Sequence, residues 1–205
     1  VADRPYRDMV AQMSAGHQHL HDVYLNGAKP YQFDHPRFTG KGDTTRMVTA
    51  GHALGPMVMD GQLENWPGSP PERIDPSRLV SGKEASTLEA SFKVSWDERN
   101  LYLLINVIDP TPMRNKHSGG SYWNADCVEL FLGVEQLDRG GALLFTDKQF
   151  LLGAGKADGS QHYVPNVPKQ PKVSMAVVRD GDKGYTMEVA IPWVDLGVDP
   201  KEGTA

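Results

Sequence analysis

Cysteine is nearly absent: Cys127 is the only one in 205 residues. That excludes an internal disulfide framework, and a single Cys in an apolar alternating run reads as a small hydrophobe rather than a reactive thiol. Basic charge is also sparse, with 21 Lys and Arg against 26 Asp and Glu, scattered along the chain. Such a balance gives no footprint for nucleic acid or for an anionic membrane surface. No apolar run approaches the ~20 residues that cross a bilayer, so no membrane span is expected. The chain opens on Val1 rather than Met and reads as a processed or excised piece, so a missing signal peptide carries no weight. Turn formers, by contrast, are plentiful: 21 Gly and 15 Pro favour short strands joined by turns over a helical bundle. The length suits one good core, or one domain with an appendage.

The one convincing helical pattern lies in residues 3–26, where Tyr6, Met9, Val10, Met13, His17, Leu20 and Tyr24 recur at helical spacing. Asp3 suits its N-cap and Asn26-Gly27 its stop. Inside it sits His17-Gln18-His19-Leu20-His21. On a strand all three histidines would share a face and chelate zinc or copper. On a helix only His17 and His21 do, which is half a site, with Asp22 and Asp34 as acidic candidates. Residues 27–57 carry Gly and Pro throughout and read as an irregular linking or wrapping segment. Pro67 to Pro76 reads as a proline-rich loop.

Strand signals dominate from Ala90 onward. Ala90, Phe92, Val94 and Trp96 alternate with polar residues, Asp97-Glu98-Arg99-Asn100 is a turn, and Leu101 to Ile108 is apolar enough to be covered on both faces. A loop over 110–124 delivers Trp123 to a second alternating run, Cys127 to Leu132. Residues 137–148 read as a loop, Gln149 to Leu152 as a short strand, and the following polar stretch as irregular up to Pro171. Lys172 to Arg179 and Tyr185 to Ile191 alternate around a turn, and Trp193 to Gly197 makes one helical turn. The fold class expected is all-β: an antiparallel sandwich of jelly-roll or immunoglobulin-like type over 58–205, preceded by a helix and extended segment over 1–57. Trp96 and Trp193 are expected in the core, and Trp66 suits either core or surface.

The run from Ser121 to Gly133 carries the chemistry. Alternation puts Val128, Leu130 and Leu132 on one face and Cys127, Glu129 and Phe131 on the other, with Trp123 just upstream. A flat apolar ring beside a fixed carboxylate is what a sugar requires, C–H faces to stack and hydroxyls to donate. The plain alternative is a partly covered loop tryptophan and a solvated glutamate. Asp60, Asp109 and Asp126 each sit near a turn or a strand end, where they would either cap turns or gather as oxygen ligands for calcium.

The ordered motifs resemble one family: Met59-Asp60-Gly61 with Trp66, Val94 to Tyr102, Val107 to Pro112, Trp123 to Phe131, Gln149-Phe150, and Gly184 to Trp193. Over residues 58–204 they are similar to carbohydrate-binding module family 9 and its DOMON-like relatives. The resemblance implies an extracellular or periplasmic β-sandwich that binds an oligo- or polysaccharide without cleaving it, stabilised by calcium. It implies a terminal sugar clamped between two tryptophans, with Trp123 as the first and Glu129 as the carboxylate, and Asn124 and Gln149 beside them. Two departures follow. Leu151 stands where such a module can carry a sugar-contacting arginine, and the family's further strands, which bear the second tryptophan, do not occur before Ala205: the expectation is either a truncated module or a remainder on another polypeptide, with something covering the exposed edges.

Catalysis is not expected in 58–205. Glu129 and Asp126, three apart on a strand, face opposite ways, and no Gly-x-Ser-x-Gly, phosphate loop or His-Glu-x-x-His occurs. A parent glycoside hydrolase would use the module for targeting, through other domains or chains of the same protein. The rival reading is electron transfer. Related sandwiches hold a b-type haem between loop ligands, and Met113 and His117, with His162 elsewhere, are the candidates. The third reading is a structural domain that docks on a partner.

Overall fold

The computed structural model describes residues 32–33, 48–61, 66, 70–74, 87–111, 113–133, 143–144, 147–155, 162–165, 167, 169–181 and 183–200. The strands, in chain order, are β1 (Gln32–Phe33), β2 (Gly51–His52), β3 (Glu72–Ile74), β4 (Glu89–Trp96), β5 (Asn100–Ile108), β6 (Cys127–Leu132), β7 (Leu143–Leu144), β8 (Lys148–Gly153), β9 (His162–Tyr163), β10 (Ser174–Arg179) and β11 (Gly184–Pro192). A 3-10 turn spans Gly119–Asn124, and a short helix, α1, spans Trp193–Leu196. The fold is a β-sandwich.

The chain divides into two compact units, Val1–Thr45 with Phe131–Lys148, and Arg46–Leu130 with Gln149–Ala205. In the first, β1 pairs antiparallel with β7, Gln32 opposite Leu144. In the second, the large sheet runs β10-β11-β5-β4-β2, with β3 also on β4; the smaller sheet runs β6-β8-β9.

The β4–β5 hairpin forms because β-branched and aromatic residues alternate on either side of a turn that Asp97 closes. Asp97 Oδ1 accepts from the Arg99 amide at 2.7 Å and the Asn100 amide at 2.8 Å, and Oδ2 accepts from the Tyr102 hydroxyl at 2.7 Å. Burial alone would raise the Asp97 carboxyl, but these hydrogen bonds outweigh it and hold the group below its usual value. The Trp193 indole donates to the Asp97 carbonyl at 2.7 Å, tying α1 to the same turn.

Register places Leu103, Ile105 and Val107 of β5 beside Val189, Met187 and Tyr185 of β11. All six are buried and form one face of the large sheet. On the other face, Tyr102 and Ala190 join Ala53, with Met57, Met59 and Trp66 packed over them. There Glu188 is only 1% exposed. It accepts from the Gly61 amide at 2.6 Å and from the Trp66 indole at 3.0 Å. A buried carboxylate left without donors is costly, so these two bonds tie Gly61 and Trp66 to the sheet.

Several sequence expectations change here. Gly51–His52, in the stretch read as irregular, is a strand parallel to β4, and Ala53 belongs to the core. Glu72–Ile74, read as proline-rich loop, pairs antiparallel with β4. Leu143–Leu144 and His162–Tyr163, also read as irregular, pair with β1 and β8. Strands of two or three residues are too short to show a period of their own and are held by their partners. Strand β5 is covered on both faces only in its first half, since Asn106 and Ile108 are exposed beyond the packed segment. Trp96 and Trp193 are half-buried at strand ends rather than fully enclosed. The helix expected over 3–26 lies outside the described residues, as do His17, His19 and His21. Among the described residues no helix is long and apolar enough to cross a membrane.

Candidate functional site

The site is built on the loop between β5 and β6. Its neck is closed by reciprocal contacts: the Arg114 amide donates to the Asp126 carboxylate, and the Asp126 amide donates to the Arg114 carbonyl at 3.4 Å. Asn115, 2% exposed, donates through Nδ2 to the carbonyls of Tyr122 at 2.8 Å and Asp126 at 2.9 Å. Buried amide donors of this kind replace the ladder bonds that a loop lacks. Gly155, at φ +105°, lets the chain pass the backbone of Arg114 and Asn115, where a Cβ would lie 2.4 Å from the Asn115 nitrogen.

Inside this frame the 3-10 turn separates its two aromatics. Tyr122 is buried, its ring lying on Gly153, where a Cβ would come within 2.7 Å of Tyr122 Cδ1. Trp123, the next residue, turns outward and is 60% exposed. An indole that open is unusual and is the feature of the loop most suited to a ligand. Asn124 is exposed beside it and donates to the Ser121 carbonyl at 3.3 Å.

Glu129 is exposed on β6, and the Gln149 amide of β8 donates to its Oε2 at 2.9 Å. A carboxylate only accepts, so the amide NH₂ must face it, which leaves the Gln149 carbonyl oxygen and Glu129 Oε1 for other partners. Cys127, on the same face of β6 as Glu129, has its thiol pushed up to about 12, first by burial and then by the Glu129 charge. It is a packing residue, not a nucleophile.

The three aspartates proposed for calcium are not brought together. Among the described residues no group of three or more His, Cys, Asp or Glu side chains could hold a metal ion. Asp109 caps its own turn, accepting from the Thr111 amide at 2.8 Å and the Thr111 hydroxyl at 2.7 Å. Asp126 accepts from the Arg114 amide at the loop neck, and Asp60 lies in the bend before Gly61. Met113 and His117, the haem candidates, are half-buried on either side of Asn115. His162 points its Nε2 at the Pro171 carbonyl at 3.1 Å. Leu151, at the position where an arginine was sought, is 2% exposed.

Sequence reading did not find Tyr163. Its ring lies against Gly119 and Gly120, 3.6–3.9 Å from where their Cβ atoms would stand. No period marks a two-residue strand, and only the β8–β9 pairing brings this residue to the loop.

A profile described as "Carbohydrate family 9 binding domain-like" matches residues 59–205. The chain belongs to this family. Among curated relatives, the endo-1,4-beta-xylanase A of Thermotoga neapolitana is 28% identical over 159 residues, 75% of this chain but 14% of the xylanase. The chain therefore spans about one-seventh of that relative's length. Two solved structures of a family 9 carbohydrate binding module from Caldicellulosiruptor kristjanssonii share the fold, each at 22% identity and covering 76% of this chain. The complex with glucose gives a TM-score of 0.53 over 71% of its own chain, and the complex with cellotriose 0.54 over 72%. As a family 9 domain, the chain is of a binding rather than a catalytic kind.

Proposed function

We propose that this domain binds a sugar ring on Trp123 and hydrogen-bonds it through the Glu129–Gln149 pair, with Asn124 at the rim, and that it targets a larger, secreted glycan-degrading protein to its substrate. The observation that carries this reading is the outward Trp123 on a pinned loop. A pyranose has apolar C–H faces and polar edges, so an open indole supplies the face and an oriented carboxylate–amide pair the edge. Gln149 fixes the carboxylate before a ligand arrives, which lowers the ordering cost of binding. The relatives support glucose and short β-glucans as ligands to try first, and the xylanase relative supports a glycoside hydrolase as the parent. Tethering raises local substrate concentration without any chemistry in the module.

The test is a tryptophan-fluorescence titration of the whole chain with glucose, cellotriose, xylose and xylotriose, with calcium present and chelated. Saturable quenching that Trp123→Ala abolishes is expected. A flat response from a folded chain sinks the sugar site. A Soret band in the purified protein would instead favour the haem reading.

A further inference from the structure

We infer that Tyr163 is a further sugar-contacting residue, its hydroxyl hydrogen-bonding the ring that Trp123 and the Glu129–Gln149 pair hold. The inference rests on the sugar-binding reading above and extends it to a residue on a different strand.

Strand register supplies the first argument. Tyr163 pairs with Leu151 across β8 and β9, so the two side chains project from the same face. Alternation along β8 places Gln149 on that face too, and the Gln149–Glu129 hydrogen bond brings Glu129 to it. Tyr163 is thus the diagonal neighbour of Gln149, a separation of about 7–8 Å that an aromatic side chain bridges. Leu151, almost fully covered, is the apolar floor between them.

The second argument comes from the loop. The Tyr163 ring rests on Gly119 and Gly120, the first two residues of the 3-10 turn that presents Trp123. Gly119 adopts φ +54°, a conformation suited to glycine, at the point where the ring and the turn meet. Tyr163 therefore stands beside both the platform loop and the polar pair.

The third is the state of its hydroxyl. Among the described residues the Tyr163 hydroxyl has no hydrogen-bond partner, and it is not a buried unpaired atom, the one such side-chain atom being His162 Nδ1. The Tyr163 hydroxyl is consequently open to water and available as donor and acceptor. The strand beneath it is held firmly: His162 contacts the Pro171 carbonyl on the opposite face. Val164 exchanges two 2.8 Å hydrogen bonds with the Gln170 side chain. A hydroxyl presented from such a strand is ordered before binding.

The experiment compares wild type, Tyr163→Phe and Trp123→Ala by calorimetric titration with glucose and with the monodeoxyglucoses, alongside thermal melts. Tyr163→Phe keeps the ring on Gly119 and Gly120 and removes only the hydroxyl. Glucose affinity should fall about three- to ten-fold at unchanged melting temperature, the range of one neutral hydrogen bond. One monodeoxyglucose, lacking the hydroxyl that Tyr163 reads, should bind wild type and variant equally, a coupling that a merely structural role would not produce. Equal glucose binding by wild type and Tyr163→Phe, with Trp123→Ala inactive, overturns the role of Tyr163 and leaves the sugar site standing. The same loss with every deoxy sugar also overturns it. No saturable binding by wild type overturns the sugar reading itself.

Discussion

Asp97 gathers three donors on its carboxylate and a fourth on its carbonyl, so one side chain joins the β4–β5 turn, the Tyr102 hydroxyl and α1. The group is half open to water, so Asp97→Ala should cost about 1–2 kcal/mol, read as a shift in urea midpoint without a change in slope. Cys127 gives a second expectation. With its thiol pushed up to about 12, little thiolate exists at pH 8. Alkylation by iodoacetamide should be slower in the folded than in the unfolded chain by about two orders of magnitude or more; equal rates would contradict the raised thiol. The role of Cys127 was legible from its place in an alternating run, because period two alone assigns a face. The role of Asp126 was not. Turn cap, metal ligand and loop pin all use the same carboxylate, and its bond to the Arg114 amide, twelve residues earlier, depends on how the loop closes rather than on its own neighbours.

At the scale of elements, Gly61 and Trp66 are held on the large sheet by Glu188, and Gly61 also by close packing. A Cβ at Gly61 would lie 2.1 Å from Val178 Cγ2, on a backbone at φ +84°. Gly61→Ala combines a steric clash with a left-handed conformation and should destabilise by about 2 kcal/mol or more. Glu188→Ala removes the acceptor of both the Gly61 amide and the Trp66 indole, leaving two donors unpaired at a similar cost of about 2–4 kcal/mol. Both variants should open the chain at Gly61 and Trp66 to limited proteolysis ahead of the sheet, and a cleavage pattern like that of the wild type would show that these two residues are held by other contacts. Alternation in Tyr185 to Ile191 correctly set Glu188 opposite the apolar face. That this second face is also covered follows from Ala53, Met57, Met59 and Trp66 packing across the sheet, a contact that reaches between residues more than a hundred apart.

For the whole molecule, raised acid groups make alkaline pH the revealing variable. Burial pushes the Tyr185 phenol well above its usual 10.0, with Asp126, Cys127 and Asp109 adding to it, and the Cys127 thiol rises from 9.0 to about 12. A group raised on folding keeps its proton in the folded chain while the unfolded chain releases it. Stability from these groups is therefore complete below pH 9 and falls as pH rises through the folded values. Asp97 acts in the opposite sense at the acid end: its carboxyl is lowered on folding, so its contribution is present above 3.8 and is lost as pH falls through the folded value. Urea midpoints measured from pH 8 to 11 should decline from about pH 9, and Cys127→Ala should delay the onset toward pH 10. An identical decline in the variant would assign the loss to the tyrosines alone.

The sequence by itself determined the long strands, the Asp97 turn and the all-β class. Each of these depends on neighbours within a few residues, through side-chain alternation, turn chemistry or a short motif. Only the tertiary structure decided which short segments become strands, that Glu188 is enclosed, that Gln149 orients Glu129, and that Tyr163 reaches the loop of Trp123. Those outcomes depend on register between distant strands and on where the chain returns across a sheet face. A two-residue strand has no period to display, and a side chain's partners across a sheet are set by pairing rather than by its own neighbours.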